Sequence, residues 1–522
     1  MNDKKLNFIY RLIFLVLLVA VFIQPFLSAQ KFSPANDEIT HLPSGYTYLR
    51  TGNFSLNPQH PPLIKLLAAF PLLFMNLQFS PADVALGEWK FGKKFIFENN
   101  ADKMLLWGRL GPMLISLLLA LFIYKWAGEI WGRFEGLFAL FFYAFMPNIL
   151  AHSQFVTTDL GVAAFSFIAC YWLWKYYKTH ETKYLVLTGI FLGLALGSKF
   201  SGLLLIPILV LLIGLKELSS ANSFTKNKKR DFFKKSLFVA ALGGLVVWAI
   251  YFFPADPFFY LKGYKTVYAD KNANFMFYLN GNYDPAGWWH YFLEAFLIKT
   301  PVAFLLAISA VIIFLKKIKI ERTALLFLTV PAALFFVITS WKGYNIGVRY
   351  ILSVYPFLIV LAAGFPSVLK NLGLRRKTVW LIVIVILGWQ LTSTIRIFPH
   401  YLAYFNEFVG GPTNGYKYLD DSNLDWGQNL KMLAEYQKSH AGTKVIYHWP
   451  FSDPDYYGIT DNQALLKTKW WREPSGYYAA DINFLIRAKL ISFLKNEPSL
   501  DWLSLYRPIG RIGYSYLIYE FK

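Results

Sequence analysis

Residues 104–124 read MLLWGRLGPMLISLLLALFIY, an almost uninterrupted apolar stretch that determines the class of fold. The hydrocarbon core of a bilayer is about 30 Å thick, so a helix that crosses it needs roughly 20 mostly apolar residues. Similar stretches recur on both sides of this one and predict about eleven membrane spans in total. They lie at 12–28, 104–124, 134–150, 160–174, 184–198, 201–215, 237–253, 300–315, 323–340, 351–369 and 378–397.

The composition agrees with a protein embedded in lipid. Of 522 residues, 56% are hydrophobic and 16% are charged, which leaves too little polar surface for a soluble protein of this length. The net charge of +21 does not indicate nucleic-acid binding, because the basic residues form short clusters between apolar stretches. We therefore expect membrane lipids and no nucleic acid as partners. The single cysteine, Cys170, excludes an internal disulfide and a CxxC metal site.

The Lys and Arg clusters predict the orientation of the chain. They occur in alternate connections between the apolar stretches, and such loops stay in the cytoplasm by the positive-inside rule. The clusters lie at 175–183, 226–235, 316–322 and 375–377. The N-terminus is then cytoplasmic and the C-terminus extracytoplasmic. The predicted external loops are 29–103, 151–159, 254–299 and 341–350.

The first apolar stretch could be a signal peptide, but no small-residue cleavage site follows it, so we interpret it as a retained membrane anchor. Around Lys199, one re-entrant helix pair is an alternative to two spans. The tail mixes apolar and polar segments separated by turn residues. We expect an all-α polytopic membrane domain at 1–398, with a large first external loop at 29–103, and a small extracytoplasmic α/β domain at 399–522.

Two adjacent carboxylates follow the first predicted span, in the stretch Asn36-Asp37-Glu38-Ile39-Thr40-His41. Charged groups near the membrane are costly and need a chemical or structural reason. In a catalytic interpretation, Asp37 and Glu38 cover a cavity at the membrane surface. In a structural one, the same residues begin an amphipathic helix and cap it. Spacing alone leaves both interpretations open.

Further candidates lie on the side of the membrane predicted to be external. His60 and Lys65 belong to the stretch His60-Pro61-Pro62-Leu63-Ile64-Lys65, whose prolines restrain the backbone and direct these side chains, although a rigid turn before a helix gives the same pattern. Asp159 falls at the external end of the fourth span, where it could face Asp37 or cap a helix.

Lys199 and Arg349 map to the same membrane boundary. Either one alone is explained by snorkelling, in which a long basic side chain extends from a membrane helix to water. Two basic residues and two carboxylate sites on one boundary also fit a compartment that holds an anionic lipid head group beside a general base.

These landmarks together resemble the protein O-mannosyltransferase superfamily, which includes the bacterial aminoarabinose transferases of lipid A. The resemblance covers roughly residues 10–400 and holds in order and topology. It is carried by Asp37-Glu38, residues 60–65, residues 153–159, Ser198-Lys199-Phe200 and Arg349-Tyr350. The tail, with residues 401–407 and the stretch DSNLDWGQ at 421–428, is similar to that of bacterial phospholipid carrier-dependent glycosyltransferases. A eukaryotic MIR-type insertion is absent from the sequence, which favours a bacterial-type member in the inner (plasma) membrane.

The resemblance implies the GT-C membrane fold and an enzyme that transfers a sugar from a polyprenyl-phosphate donor, with inversion at the anomeric carbon. The acceptor would be a hydroxyl group of a lipid, glycan or protein. Asp37 would be the general base that deprotonates this hydroxyl, with Glu38 as the neighbouring catalytic candidate.

The same resemblance assigns the phosphate to basic residues. Lys199 and Arg349 would stabilise the departing phosphate, and His60 and Tyr344 are further candidates for this role. Asp159 would orient His60 or hold a divalent metal ion, which we treat as an optional cofactor because the sequence has no zinc-ligand signature.

Two other classes of protein stay open on the sequence alone. A polytopic transporter or lipid flippase would use buried Asp and Lys residues as a translocation path, but its charges usually lie at the midplane and its halves repeat. A scaffold that presents the tail would leave the loop residues without a role. A nucleotide-sugar enzyme is disfavoured because no Gly-rich phosphate loop is present.

Overall fold

The computed structural model of the protein describes residues 3–218, 226–269, 275–447, 452–460, 462–464, 474–496 and 498–522. Residues 219–225 of the predicted basic cytoplasmic connection lie outside the described residues.

Most of the chain up to residue 397 is helical. The helices are α1 (Asp3–Ala29), α2 (Asn36–Thr51), α3 (Leu63–Ala69), α4 (Glu88–Phe97), α5 (Ala101–Trp131), α6 (Arg133–Ala144), α7 (Pro147–Ser153), α8 (Asp159–Thr179), α9 (Thr182–Ser198), α10 (Leu205–Leu218), α11 (Lys226–Ile250), α12 (Phe259–Ala269), α13 (Tyr291–Lys299), α14 (Val302–Ile313), α15 (Arg322–Lys342), α16 (Tyr355–Ala362), α17 (Phe365–Asn371) and α18 (Arg376–Ile397).

The chain is a multi-pass membrane protein. Within the described residues, seven helical segments are long and apolar enough to cross a membrane. The number rises to nine if α6 with α7, bent by 63°, and α13 with α14, bent by 115°, each form one span.

Each of the eleven predicted apolar stretches is helical. The predicted number of membrane spans nevertheless exceeds the observed seven to nine, because two of these helices are too short or too polar to qualify. The two predicted spans that are not among these nine are α8 and α9. The 21 residues of α8 include several Tyr and Trp residues that lower its mean hydropathy, and α9 is apolar but has only 17 residues. Both helices pack inside the bundle, where a neighbour rather than lipid covers much of their surface.

The first predicted external loop is a folded layer of short helices. It contains α2, α3 and α4, joined by 3-10 turns at Phe70–Phe74 and Pro81–Leu86. At Gly45 of α2, an added Cβ would lie 2.1 Å from the carbonyl oxygen of Lys65 in α3, so only glycine allows this approach. Tight packing of this layer fixes the start of α2, which carries the first pair of predicted carboxylates.

The C-terminal part contains a small mixed sheet, as predicted. Its elements are α19 (Leu430–Ser439), β3 (Lys444–Tyr447), β4 (Asn462–Ala464), β5 (Gly476–Asp481), α20 (Ile482–Lys495), β6 (Gly510–Ile512) and β7 (Tyr516–Phe521). The five strands occur in the order β4-β3-β5-β7-β6, with β3 parallel to β4 and β5 and the other neighbours antiparallel. A separate antiparallel hairpin, β1 (Phe277–Leu279) with β2 (Asn282–Asp284), precedes α13.

The tail contacts the layer formed by residues 29–103. The Ser33 N–H donates to the Gln428 carbonyl at 3.0 Å, and the Asn36 N–H donates to the Trp426 carbonyl at 2.9 Å. Both regions must therefore lie on the same side of the membrane. Because α1 alone separates the N-terminus from this layer, the whole chain requires an odd number of crossings. The division of the chain at residue 398 stays a prediction.

A topology experiment tests this arrangement. Reporter tags inserted after Lys319 should report the cytoplasm, whereas tags near Ser80 and at the C-terminus should report the external side. The measurement is reporter activity or accessibility in intact cells. Opposite locations for the Ser80 and C-terminal tags would contradict the contacts between the two regions.

Candidate active site

The N-terminal turn of α2 presents Asp37 to a basic residue that is distant in sequence. The Arg349 Nη1 atom donates to Asp37 Oδ2 at 2.8 Å. Asp37 is the second residue of α2, where the helix dipole also favours a negative charge. Arg349 lies in a 3-10 segment, Val348–Val354, that follows the extended residue Gly347.

A second ion pair lies beside the first one. Lys199 Nζ donates to Asp159 Oδ1 at 2.6 Å, and Asp159 Oδ2 lies 3.7 Å from Arg349 Nη1. Asp159 is the first residue of α8, and Lys199 stands where α9 ends in extended backbone. The structure thus brings together four predicted residues as an alternating chain of charges, Asp37–Arg349–Asp159–Lys199, which we call the charge network.

The charge network is largely buried, yet some of its buried polar atoms form no hydrogen bond within the described residues. The side chains of Asp159 and Lys199 are 2% and 10% exposed, and those of Arg349 and Asp37 are 11% and 18% exposed. Asp159 Oδ2 and Arg349 Nε are buried atoms with no hydrogen-bond partner within the described residues. A ligand that binds here can therefore gain hydrogen bonds that the protein alone does not form.

The surroundings of Asp37 favour its ionised form. Burial raises the pKa of the carboxyl group, but Arg349 and then His41 act in the opposite direction, and the resulting pKa lies below the ordinary value. Asp37 is consequently a carboxylate at neutral pH.

Glu38 occupies a different environment from Asp37. Its side chain is fully buried and accepts two hydrogen bonds from Arg109, at 2.6 and 2.9 Å. It also accepts the N–H groups of Ala35 at 2.9 Å and Val156 at 3.0 Å. The first of these contacts caps α2, as in the structural interpretation of the sequence. With four hydrogen bonds, Glu38 holds the chain together and is not placed to accept a substrate proton.

His60 and Lys65 lie next to the charge network. The His60 ring lies edge-on to His41, with ring centres 5.3 Å apart, and Lys65 Nζ donates to the carbonyls of Asn57 and His60 at 2.6 and 2.8 Å. Burial lowers the pKa of His60 well below its ordinary value and that of Lys65 to about 7. Burial likewise lowers the pKa of His41 to about 4. The imidazole groups are therefore neutral at neutral pH.

Tyr344 lies outside the charge network. Its half-buried ring contacts Phe275 and Phe277 near the β1–β2 hairpin, with ring centres 5.8 and 4.8 Å apart. Asp159 makes no hydrogen bond to His60 among the described residues, because its carboxylate faces Lys199 and Arg349 instead.

Several residues of the site were not predicted to take part in it. The Trp426 ring lies 4.4 Å from the Arg349 guanidinium carbon, and the Tyr350 ring lies 4.6 Å from Lys199 Nζ. Asp421 interacts electrostatically with Arg349 and has an unusual positive φ of 52°. Arg109 was detectable in principle, because a charge inside an apolar stretch requires a partner. The approach of Asp421 and Trp426 depends on tertiary contacts that spacing does not reveal.

One protein-family model matches part of the chain. Residues 96–252 match the family model described as dolichyl-phosphate-mannose-protein mannosyltransferase. That range contains Arg109, Asp159 and Lys199 but not Asp37 or Arg349. No curated protein sequence matches the chain.

Solved structures resemble the chain over most of its length. ArnT from Cupriavidus metallidurans, in the apo state and bound to undecaprenyl phosphate, is 15% identical, with 97% of each chain covered and a TM-score of 0.49. The apo oligosaccharyltransferase from Archaeoglobus fulgidus is 13% identical, with 94% of this chain and 72% of that chain covered and a TM-score of 0.50. The chain has the GT-C fold. The predicted fold class is thus confirmed.

The GT-C fold explains why the charge network assembles at one end of the helical bundle. Its carboxylates come from the first turns of α2 and α8, and its cations come from the end of α9 and from the start of the 3-10 segment that precedes α16. Helix ends leave backbone groups and side chains free to face a ligand, whereas residues in the middle of a span face lipid or neighbouring helices.

A stability measurement distinguishes the two adjacent carboxylates. Arg109→Met leaves the buried Glu38 carboxylate without its partner, so the free energy of unfolding should fall by about 3 to 5 kcal/mol. Asp37→Asn keeps the side-chain shape and leaves Arg349 near its second carboxylate, Asp159, so it should cost less, about 1 kcal/mol. Melting temperatures of the purified variants in detergent provide the comparison. Similar melting temperatures for both variants would show that the Glu38–Arg109 pair is not the structural one.

Proposed function

We propose that the protein is a membrane glycosyltransferase that moves a sugar from a polyprenyl-phosphate donor to an acceptor hydroxyl on the extracytoplasmic face, with inversion at the anomeric carbon. The observation that carries the proposal is the charge network, in which two carboxylates and two cations from the ends of helical segments meet. A general base and phosphate-binding cations are the two groups that this reaction needs.

Asp37 acts as the general base. It accepts the proton of the acceptor hydroxyl while the hydroxyl oxygen attacks the anomeric carbon and the bond from that carbon to the phosphate oxygen breaks. In the free protein Arg349 holds Asp37 ionised. A bound phosphate attracts the same guanidinium group, which weakens its pairing with Asp37 and increases the basicity of the carboxylate.

Lys199 and Arg349 bind the donor phosphate and stabilise the negative charge that develops on it. The buried Arg349 Nε atom, which has no hydrogen-bond partner in the described part of the chain, supplies a donor for this purpose. Asp159 orients both cations, since its two oxygens face Lys199 and Arg349. His60 is adjacent and neutral, so it contributes a hydrogen bond rather than a charge. Within the described residues, no contact supports the predicted role of Tyr344 in binding the phosphate, because its ring packs against Phe275 and Phe277.

An apolar cavity of about 560 Å³, lined by residues that precede and follow Lys199 in the chain, suits the lipid chain of the donor. It lies between α9, α10 and α11. Its walls include Leu196, Leu203, Ile206, Val247, Trp248 and Tyr260. A polyprenyl chain is purely apolar, so burial here would add affinity without adding a specific polar contact. ArnT bound to undecaprenyl phosphate and the Archaeoglobus fulgidus enzyme AglB in complex with a dolichol-phosphate are proteins of similar fold that hold such lipids.

The residues of the site do not fit a divalent metal ion. Asp159, the predicted candidate, is paired with two cations, and no group of three His, Cys, Asp or Glu residues converges within the described ranges. We derive no step through a metal. Transfer assayed with and without EDTA measures whether an added ion matters.

The placement of charge disfavours the transporter interpretation. A translocation path needs ionisable groups near the middle of the membrane. The four residues of the charge network instead stand at helix ends on one side of the bundle.

The decisive prediction concerns the proposed base. Asp37→Asn removes the proton acceptor but keeps the side-chain shape, so the transfer rate should fall by about 10² to 10⁴. The assay is transfer of sugar from a short-chain polyprenyl-phosphate donor by the purified protein.

Because the pKa of Asp37 lies below its ordinary value, kcat/KM of the wild type should stay level from neutral pH down to the ordinary range for Asp.

Asp83→Asn is a matched control for the Asp37→Asn assay. Asp83 belongs to the same external layer but forms a partly exposed ion pair with Lys94, at 2.9 Å. Its substitution should leave transfer unchanged. Near-normal turnover by Asp37→Asn protein, with an unchanged melting temperature, would exclude Asp37 as the base.

A second prediction concerns the donor phosphate. Lys199→Ala and Arg349→Ala should each reduce kcat/KM for the donor by about 10- to 150-fold, which corresponds to loss of a charge-assisted hydrogen bond worth about 1.5 to 3 kcal/mol. Lys262→Ala, which removes a largely exposed lysine paired with Asp256, is the control and should have no effect. Unchanged donor kinetics in both variants would refute the assignment of the phosphate to these cations.

A further inference from the structure

The stretch DSNLDWGQ at residues 421–428 forms a loop that contacts both the segment that carries Arg349 and the segment that carries Asp37. On one side, the Asn423 side chain accepts the Val348 N–H at 3.0 Å, and Ser422 Oγ donates to the Ile346 carbonyl at 2.5 Å. The approach is so close that a Cβ added at Gly347 would lie 2.0 Å from Ser422 Oγ. The segment that carries Arg349 is therefore held by a loop of the tail.

On the other side, the same loop holds the start of α2. The carbonyl of Trp426 accepts the Asn36 N–H at 2.9 Å, and the carbonyl of Gln428 accepts the Ser33 N–H at 3.0 Å. Asn36 immediately precedes Asp37. The two partners of the Asp37–Arg349 ion pair are thus positioned by one short segment.

Trp426 connects the two sides. Its side chain is 3% exposed, and its ring lies 4.4 Å from the guanidinium carbon of Arg349. The ring edge packs against His152 and Phe155, with ring centres 5.8 and 6.4 Å apart, so the indole cannot easily move away. An aromatic face attracts a cation without competing for its hydrogen-bond donors.

We propose that Trp426 is a positioning residue that holds the Arg349 guanidinium in the orientation needed for Asp37 and for an anionic phosphate ligand. The inference rests on the proposed function for the identity of that ligand. Because the ring attracts the guanidinium without using its N–H donors, these donors stay available to the carboxylate and to a bound phosphate.

The test uses Trp426→Ala and Trp426→Phe in the full-length protein. Trp426→Ala should lower kcat/KM for the polyprenyl-phosphate donor by about 5- to 30-fold, and kcat should account for more of the loss than KM. Trp426→Phe keeps an aromatic face and should recover most of the activity. Trp502→Phe is the control, because Trp502 packs on Tyr478 and Phe521 in the sheet domain and touches no residue of the charge network.

A double-mutant cycle separates positioning from a general structural effect. If Trp426 acts through Arg349, Trp426→Ala should cause less than about a twofold further loss in an Arg349→Ala background. The same cycle measured on melting temperatures should show that the two substitutions are not additive. Additive losses in both measurements, or equal activity of Trp426→Ala and wild-type protein, would overturn the inference.

The two proposals fail in different ways. If the wild type transfers no sugar from any polyprenyl-phosphate donor tested, the proposed function is wrong. The coupling of melting temperatures still decides whether Trp426 holds Arg349. If transfer occurs and the coupling is absent, the proposed function survives and the role of Trp426 is wrong.

Discussion

The buried ion pair of Glu38 with Arg109 is the constraint on which the site depends. Both side chains lie inside the protein, where an unpaired charge would cost several kcal/mol. Arg109 offsets this cost with five hydrogen bonds, two to Glu38 and three to the carbonyls of Ala29, Phe32 and Ser33. The pair thereby connects the end of α1, the start of α2 and the middle of α5. Neighbouring helix residues point about 100° apart, so anchoring Glu38 inward directs Asp37 away from it.

The charge network shows how the fold keeps ionised groups together inside the protein. Two carboxylates alternate with two cations, so each charge has an opposite neighbour and the group is formally neutral. The aromatic rings of Tyr350 and Trp426 pack against the two cations. Such an arrangement leaves no net buried charge, and under the proposed function an anionic donor would exchange one ion pair for another rather than create a new buried charge.

Sequence reasoning succeeded where the signal is local. Apolar stretches of sufficient length predicted every long helix, because lipid imposes the same requirement on each segment independently. The membership of Asp37, Asp159, Lys199 and Arg349 in one group was also predicted, since topology places helix ends on one boundary. Spacing did not distinguish Glu38 from Asp37, because the difference depends on a partner 71 residues away in the chain. The number of spans was overestimated for a related reason, since helices covered by protein need not be as long or as apolar as those that face lipid.

The contribution of the tail to the site also depends on contacts between residues that are distant in sequence. The tail's change in composition after residue 398 predicts a separate domain, and the sheet formed by β3 to β7 has one apolar cluster with α19 and another that is continuous with the core of the helical bundle. The loop that precedes this sheet nevertheless donates to and accepts from the segments that carry Asp37 and Arg349. Asn406 extends these contacts by donating to the carbonyl of Thr300 at 2.7 Å, between α13 and α14. A domain boundary drawn from composition therefore divides the chain but not the site, because a loop that follows residue 398 positions the segment that carries Asp37.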